Sequence, residues 1–282
     1  MTNQQVSALQ RKDILPCDLD EHRYGASERH FAVVGHRGVM ALAPENSAYS
    51  FALAETMGVD EIELDVRLTA DGIPIVLHDP TLERLAAAAG VSVRTPVDRL
   101  SLAQCLDVPL DSGQPVMKFT EVLELTNMPL QVEIKDPAAV VSLADILLGS
   151  AHLGRIKFSS FLPKALHLLA LHLPAIPRGL IVDTFPANTV KQEELDYLLD
   201  LSGATTLYTG FDNLTPVHVT RLHMAGIEVH VWPLRCQRDL DQALELNADG
   251  GTADDPGQAR QWLHTTRTRA AAAAVVGAPA HG

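Results

Sequence analysis

An alternation constrains this chain more than any other feature. From Phe31 onward short β-rich runs recur, and most are followed by a stretch with helical spacing. Strand-like runs occupy 32–35, 61–66, 130–134, 155–159, 178–182, 205–208, 227–231 and 248–252. Helical spacing covers 47–57, 138–149, 162–172, 189–201, 216–225, 237–246 and 256–266. Several starts carry a cap or a leading proline: Asp136 with Pro137, Thr215 with Pro216, and Asp255 with Pro256. Gly226 reads as a helix stop. Strands that alternate with helices form a parallel sheet, because each crossover carries the chain back to the same end. Eight such units predict an α/β fold, a closed (β/α)8 TIM barrel, although a doubly wound open sheet alternates in the same way.

Three segments depart from the rhythm. Residues 1–30 show no sustained periodicity and read as an N-terminal arm. The long gap between the second and third strands reads as a small insertion, about 80–118, on a barrel spanning 31–268. The alanine-rich end, 269–282, reads as a low-complexity tail without structure.

Charge and cysteine usage narrow the setting. The formal net charge is −13, which argues against nucleic acid or anionic membranes as partners. It leaves room for a small phosphate-bearing substrate, since a divalent cation can invert the field of an acidic site. No apolar run reaches the ~18 residues of a membrane span. Cys17, Cys105 and Cys236 are odd in number and far apart, which predicts free thiols in a reducing compartment. The polar start MTNQQVSALQRKD lacks an apolar secretory core, so a cytoplasmic location is expected. Nothing in the sequence sets the oligomeric state.

Polar residues gather at the C-terminal ends of the predicted strands, where barrel enzymes build their sites. The first strand runs into His36, Arg37 and Gly38. The second carries Glu63 and Asp65 two apart, hence on one face. The third ends in Glu133, Ile134 and Lys135. Downstream, Asp71-Gly72 between alternating runs signals a two-residue hairpin turn. That turn places His78 opposite Asp65, above the paired carboxylates.

Glu63, Asp65 and Glu133 offer three hard oxygen ligands. This donor set favours Mg²⁺ or Ca²⁺ over zinc. Arg37 and Lys135 supply positive charge for a phosphoryl oxygen. His36 and His78 can trade protons near neutral pH. A cation site, fixed positive charges and an acid/base pair together suit phosphodiester cleavage. His152, His167, His172, His218 and His223 fall in or beside predicted helices and are assigned no function.

The segments HRGVMALAPENS (36–47), EIELDVRLTADGIPIVLHDPTLER (61–84) and VEIK (132–135) strongly resemble the glycerophosphodiester phosphodiesterase family. The resemblance is detailed over 32–84 and around 115–135. It is thinner through SSF (159–161), VHVW (229–232) and ADGGTADDP (248–256). It implies a (β/α)8 phosphodiesterase barrel with His36 and His78 as the acid/base pair. Glu63, Asp65 and Glu133 become ligands of one divalent cation, and Arg37 and Lys135 become phosphate contacts. The same resemblance makes Trp232 a pocket wall and Glu45, with Asn46, a support of the first loop. Departures fall on the substrate side. Leu85 to Ala89 replace a Thr/Gly-rich turn, Trp232-Pro233-Leu234-Arg235 stands for W-T-V-N, and Asp249 to Pro256 vary the closing D-G-I-I-T-D-R-P. The expected reaction is hydrolysis of a glycerophosphodiester to glycerol 3-phosphate and an alcohol. A related lipase acting on lysophospholipids or sphingolipids, and an inactive phosphodiester-binding protein, remain as alternatives.

Overall fold

Successive elements of the chain close into a ring. A computed structural model describes residues 30–276, so the N-terminal arm and Cys17 lie outside the described residues. The first half runs β1 (Ala32–Gly35), α1 (Ala48–Thr56), β2 (Glu61–Leu68), β3 (Pro74–Val76), α2 (Leu102–Leu106), β4 (Met117–Lys118), α3 (Phe119–Leu125), β5 (Leu130–Ile134) and α4 (Ala139–Leu147). The second half runs β6 (Ile156–Ser160), α5 (Pro163–His172), β7 (Arg178–Val182), α6 (Thr189–Ser202), β8 (Thr206–Thr209), α7 (Pro216–Met224), β9 (Glu228–Val231), α8 (Gln237–Glu245), β10 (Gly250–Ala253) and α9 (Pro256–Val276). Eight strands pair in parallel in the order β1-β10-β9-β8-β7-β6-β5-β2, and β1–β2 pairing closes the barrel. The open-sheet alternative is thereby excluded.

Alternation along each strand divides the barrel into two environments. On β2, Ile62, Leu64 and Val66 are fully buried in the main hydrophobic cluster. Each such aliphatic side chain contributes roughly 1.5–3 kcal/mol by leaving water. Glu63 and Asp65 take the intervening positions. Parallel pairing sets Glu63 beside Gln131 and Asp65 beside Glu133, and in turn Glu133 beside Ser159. One inward layer therefore collects carboxylates from two neighbouring strands.

Helix starts follow local chemistry. Ser47, Thr215 and Asp255 accept backbone N–H groups from Ser50, His218 and Gln258, which satisfies donors left open in the first turn. Asp136 does not cap α4 directly. It accepts from Ala138 N, and α4 begins after uncapped Ala138. Gly226 ends α7 in the left-handed region, φ +77°, as expected for a helix stop.

The hairpin register differs from the expected one. Val66 pairs with Val76 and Leu68 with Pro74, and Leu77 N donates to Asp65 O. Asp65 therefore stands opposite Leu77, not His78. The cause lies in Thr69, whose hydroxyl donates to Asp71 Oδ1 and accepts from Ile73 N. This grip lengthens the turn to Ala70-Asp71-Gly72, with Gly72 at φ +78°, the pattern of a three-residue hairpin loop. A one-residue slip exchanges the faces of a strand. His78 escapes that consequence because β3 stops at Val76; beyond it, Arg67 Nε donates to His78 O.

The inserted region carries one short helix, α2, that periodicity did not reveal, and α3, equally unforeseen, follows it and packs into the main apolar cluster through Phe119, Val122 and Leu123. The inserted region also has its own apolar cluster, with Ile75, Leu77, Leu82, Val97, Cys105 and Val116. At the other end, α9 continues through the alanines to Val276, where the sequence predicted an unstructured tail from 269. Alanine has the highest helix propensity, so the run extends a helix already started. Residues 277–282 of that tail lie outside the described residues. Among the described residues no helix is long and apolar enough to cross a membrane.

Candidate active site

The C-terminal ends of the strands surround a cavity of about 280 Å³. His36, Arg37, Glu63, His78, Glu133 and Lys135 line one side of it. Phe161, Tyr208 and Trp232 line the other. Asp65 sits immediately behind, fully buried. Glu45 lies away from the cavity lining, beneath Arg37.

The turn after β1 shapes the first wall. Arg37 adopts φ +47° and Gly38 φ +86°, and a Cβ on Gly38 would collide with Ser50. A non-glycine residue held in the left-handed region is uncommon and costs energy. Here, hydrogen bonds hold it. Arg37 N donates to Glu63 Oε2 at 2.9 Å, and Arg37 Nη1 donates to Glu45 Oε1 at 2.9 Å. Arg37 Nε lies 3.3 Å from Asp65 Oδ2, an oxygen that also accepts from Asn46 Nδ2 at 2.9 Å. Glu45 thus positions Arg37 and does not touch the carboxylate cluster.

Glu63, Asp65 and Glu133 each turn an oxygen into one locus, where these atoms lie within 4.8 Å of one another. Lys135 Nζ lies 3.1 Å from Asp65 Oδ1 and 2.5 Å from Glu133 Oε1. Burial favours neutral carboxyls here, and each residue answers differently. Burial and the charge of Asp65 push Glu63 up to about 8. Burial also raises Asp65, but Lys135 and Arg37 prevail and hold it below the usual range. Glu133 is raised by burial and by Asp65 despite Lys135. Glu63 Oε1 is buried without a hydrogen-bond partner. Asp65 Oδ1 likewise has no hydrogen-bond partner, though Lys135 Nζ lies 3.1 Å away, and three buried carboxylates with two such oxygens fit a hard divalent cation.

Each histidine is oriented by a carboxylate. His36 Nδ1 bonds to Asp254 Oδ1 at 2.6 Å, and its Nε2 lies 4.0 Å from Glu63. His78 Nδ1 bonds to Asp79 Oδ1 at 2.7 Å. An ionised carboxylate only accepts, so both Nδ1 atoms carry the proton and both Nε2 atoms are left to react. The two rings differ in environment. Burial works against charge on His36, but the Asp254 bond and the Glu63 charge raise it above its ordinary value. Burial lowers His78, and Asp65 and Asp79 do not make up the difference.

The opposite wall is aromatic. Phe161 and Trp232 meet edge to face, 5.9 Å between centroids, and Lys135 Nζ lies 5.8 Å from the Phe161 centroid. Sequence reasoning named Trp232 but not Phe161, and it missed Asp79 and Asp254 as hydrogen-bond partners of the two histidines. The signal for the two aspartates was available. Asp79 adjoins His78, and Asp254 follows the last barrel strand, where the other strand ends already carry polar residues.

Comparison with known proteins gives the family and the fold. Residues 36–258 match the glycerophosphoryl diester phosphodiesterase family. A glycerophosphodiester phosphodiesterase of Caldanaerobacter subterraneus subsp. tengcongensis is 25% identical over 79% of this chain and 94% of the relative. The fold matches an Oleispira antarctica phosphodiesterase solved with the product sn-glycerol-3-phosphate, with TM-score 0.72, 23% identity, and coverage of 83% and 96%. It also matches the glycerophosphodiester phosphodiesterase of Thermotoga maritima, with TM-score 0.67, 24% identity, and coverage of 81% and 96%. The match spans most of the barrel and every residue of the cavity named above, and the chain belongs to the glycerophosphoryl diester phosphodiesterase family.

Proposed function

We infer that this protein hydrolyses glycerophosphodiesters to glycerol 3-phosphate and an alcohol, using a divalent cation and two histidines. The observation that carries this reading is the meeting of His36, His78, Arg37, Lys135, Glu63 and Glu133 around one cavity of a family member, with Asp65 buried directly behind. Relatives bearing the family name, and one solved with glycerol 3-phosphate, support the substrate class. Free Cys105 and Cys236 agree with a cytoplasmic setting.

Glu63, Asp65 and Glu133 would hold the cation. When bound, a Mg²⁺ or Ca²⁺ ion supplies a Lewis acid for the phosphoryl oxygens and offsets charge that builds on them. The remaining steps belong to side chains of this chain. Arg37 brings a two-pronged guanidinium to the phosphate edge, held by Glu45 and Asp65. Lys135 adds a point charge between Asp65 and Glu133. His36 and His78 line the cavity with their Nε2 atoms left to react, one to accept a proton from the attacking water or hydroxyl and one to give a proton to the leaving oxygen. Their environments favour a charged His36 and a neutral His78, which is the division of labour such a pair requires. Phe161 and Trp232 give the cavity an aromatic wall that adjoins Lys135.

The test is release of glycerol 3-phosphate from a glycerophosphodiester in Mg²⁺ or Ca²⁺, and in EDTA. Metal-dependent release is expected. Undiminished hydrolysis in EDTA would remove the cation from the mechanism, and the absence of release in either metal would overturn the substrate assignment.

A further inference from the structure

One surface side chain joins the two walls that carry the reacting groups. Arg84 follows His78 and Asp79 in the loop beyond β3. Its Nε donates to Asp79 Oδ2 at 2.6 Å, and its two terminal nitrogens donate to the two oxygens of Glu45, each at 2.7 Å. The other oxygen of Asp79 holds His78 Nδ1, and Glu45 Oε1 also holds Arg37 Nη1. An unbroken line of hydrogen bonds therefore runs from His78 through Asp79, Arg84 and Glu45 to Arg37. Its ends come from the loop after β3 and the turn after β1, and Arg84 is the link between them.

A half-exposed arginine usually contributes little as a surface ion pair. Arg84 differs in its partners, since the Glu45 side chain is 8% exposed and that of Asp79 is 23% exposed. The two ends also depend on it unequally. Arg37 keeps Glu45 and Asp65 if Arg84 is removed. Asp79, among the described contacts, keeps only His78. A planar guanidinium can serve three acceptors at once, and an ammonium cannot reproduce that geometry.

We propose that Arg84 is a positioning residue that fixes the ring of His78, through Asp79, in one frame with the phosphate-facing Arg37. The proposal rests on the reading of His78 as a proton-transfer group. Arg84 touches no reacting atom, so its loss should appear in kcat and leave KM nearly unchanged.

The experiment is a double-substitution cycle between Arg84 and His78, run with metal on a glycerophosphodiester and on bis(p-nitrophenyl) phosphate. Arg84→Met should lower kcat by about tenfold or more, the scale of a misplaced catalytic group. Arg84→Lys should recover part of that loss. In a His78→Ala background the same Arg84→Met change should cost about twofold or less, because the group it positions is already gone. A repeated tenfold loss in that background would reduce Arg84 to a structural staple and overturn the proposal. So would unchanged kcat in Arg84→Met, or full recovery with lysine. If Arg84→Met does not fold, Arg84→Lys carries the same cycle, expected to lower kcat only while His78 is present. Failure of the wild type on glycerophosphodiesters alone would overturn the substrate assignment, and the cycle on the nitrophenyl ester would still decide the role of Arg84.

Discussion

The inner wall of the barrel differs sharply between its two halves. On and just beyond β1, β2 and β5 the inward residues are mostly ionic: His36, Glu63, Asp65, Glu133 and Lys135, with Gln131 among them. Across the lumen, β8 and β9 present Thr206, Tyr208 and His230, and Trp232 follows directly after β9. Polar atoms of all four are buried without hydrogen-bond partners. Burial and nearby Lys157 push His230 down to about 3, so it is neutral under all ordinary conditions. Its ring meets Tyr208 edge-on at 5.3 Å. Both halves violate the rule that buried polar groups are satisfied, but they do so differently. The ionic half concentrates like charges that only a cation or protons can offset. The neutral half leaves uncharged groups short of a partner, at a smaller cost each. The proposed chemistry draws on the first half, with the second as its wall.

Four measurements can break or sharpen that contrast. The largest effect should come from the histidines. His36→Ala or His78→Ala should lower kcat/KM by ~10²–10⁴-fold, typical of a lost acid/base group. The double substitution should cost little more, because the pair acts as a unit. A more deeply buried histidine of the neutral half offers the control: His230→Gln should leave kcat/KM within about tenfold, on the same scale. Comparable losses from both halves would erase the distinction.

Arg37 comes next. Arg37→Ala should cost ~10²-fold in kcat/KM, as for one lost contact to developing charge. Arg37→Lys should recover only part, since Glu45 and Asp65 hold a guanidinium in a defined orientation. Full recovery by lysine would show that fork geometry is irrelevant here.

A third comparison uses stability. Glu63 titrates near 8 in the metal-free fold and at an ordinary carboxylate value when unfolded. Between those values the folded state binds the extra proton, so the contribution of Glu63 to stability falls as pH rises through this window. Glu63→Gln should therefore raise the melting temperature in EDTA, more at pH 8 than at pH 5, while weakening metal binding. Tyr208→Phe, which removes an orphaned hydroxyl from the neutral half, should change stability by less than about 1 kcal/mol at either pH. A destabilising Glu63→Gln in EDTA would contradict the crowded-carboxylate picture.

The barrel and its ionic half were legible because both rest on short-range rules. Period-2 runs followed by helical spacing located all eight barrel strands to within a residue or two. The inward positions 63, 65 and 133 follow from strand alternation alone. The features that were missed depend on groups remote in sequence or on one side chain overriding a motif. The Asp71-Gly72 signal was real, but the Thr69 hydroxyl lengthened the turn and shifted the register. Asp254 reaches His36 across 218 positions of chain, which no local pattern encodes. Arg84 gained its meaning only when Glu45, 39 residues away, folded against it. The alanines after 269 looked featureless because low complexity was weighed above helix propensity.

The most direct test of the two-histidine centre is the pH dependence of kcat/KM in the wild type, His36→Ala and His78→Ala, each with saturating metal. His78 lies below the ordinary 6.5 and must be neutral to accept a proton, so activity should fall on the acid side below that value. His36 lies above 6.5 and must be charged to donate, so activity should fall on the alkaline side above it. A bound cation disfavours charge on His36 and draws the alkaline limb back toward neutrality. The expected wild-type profile is a bell. His78→Ala should lose the acid limb of that bell, and His36→Ala the alkaline limb. A bell that persists in both variants would place proton transfer on other groups and contradict the assignment.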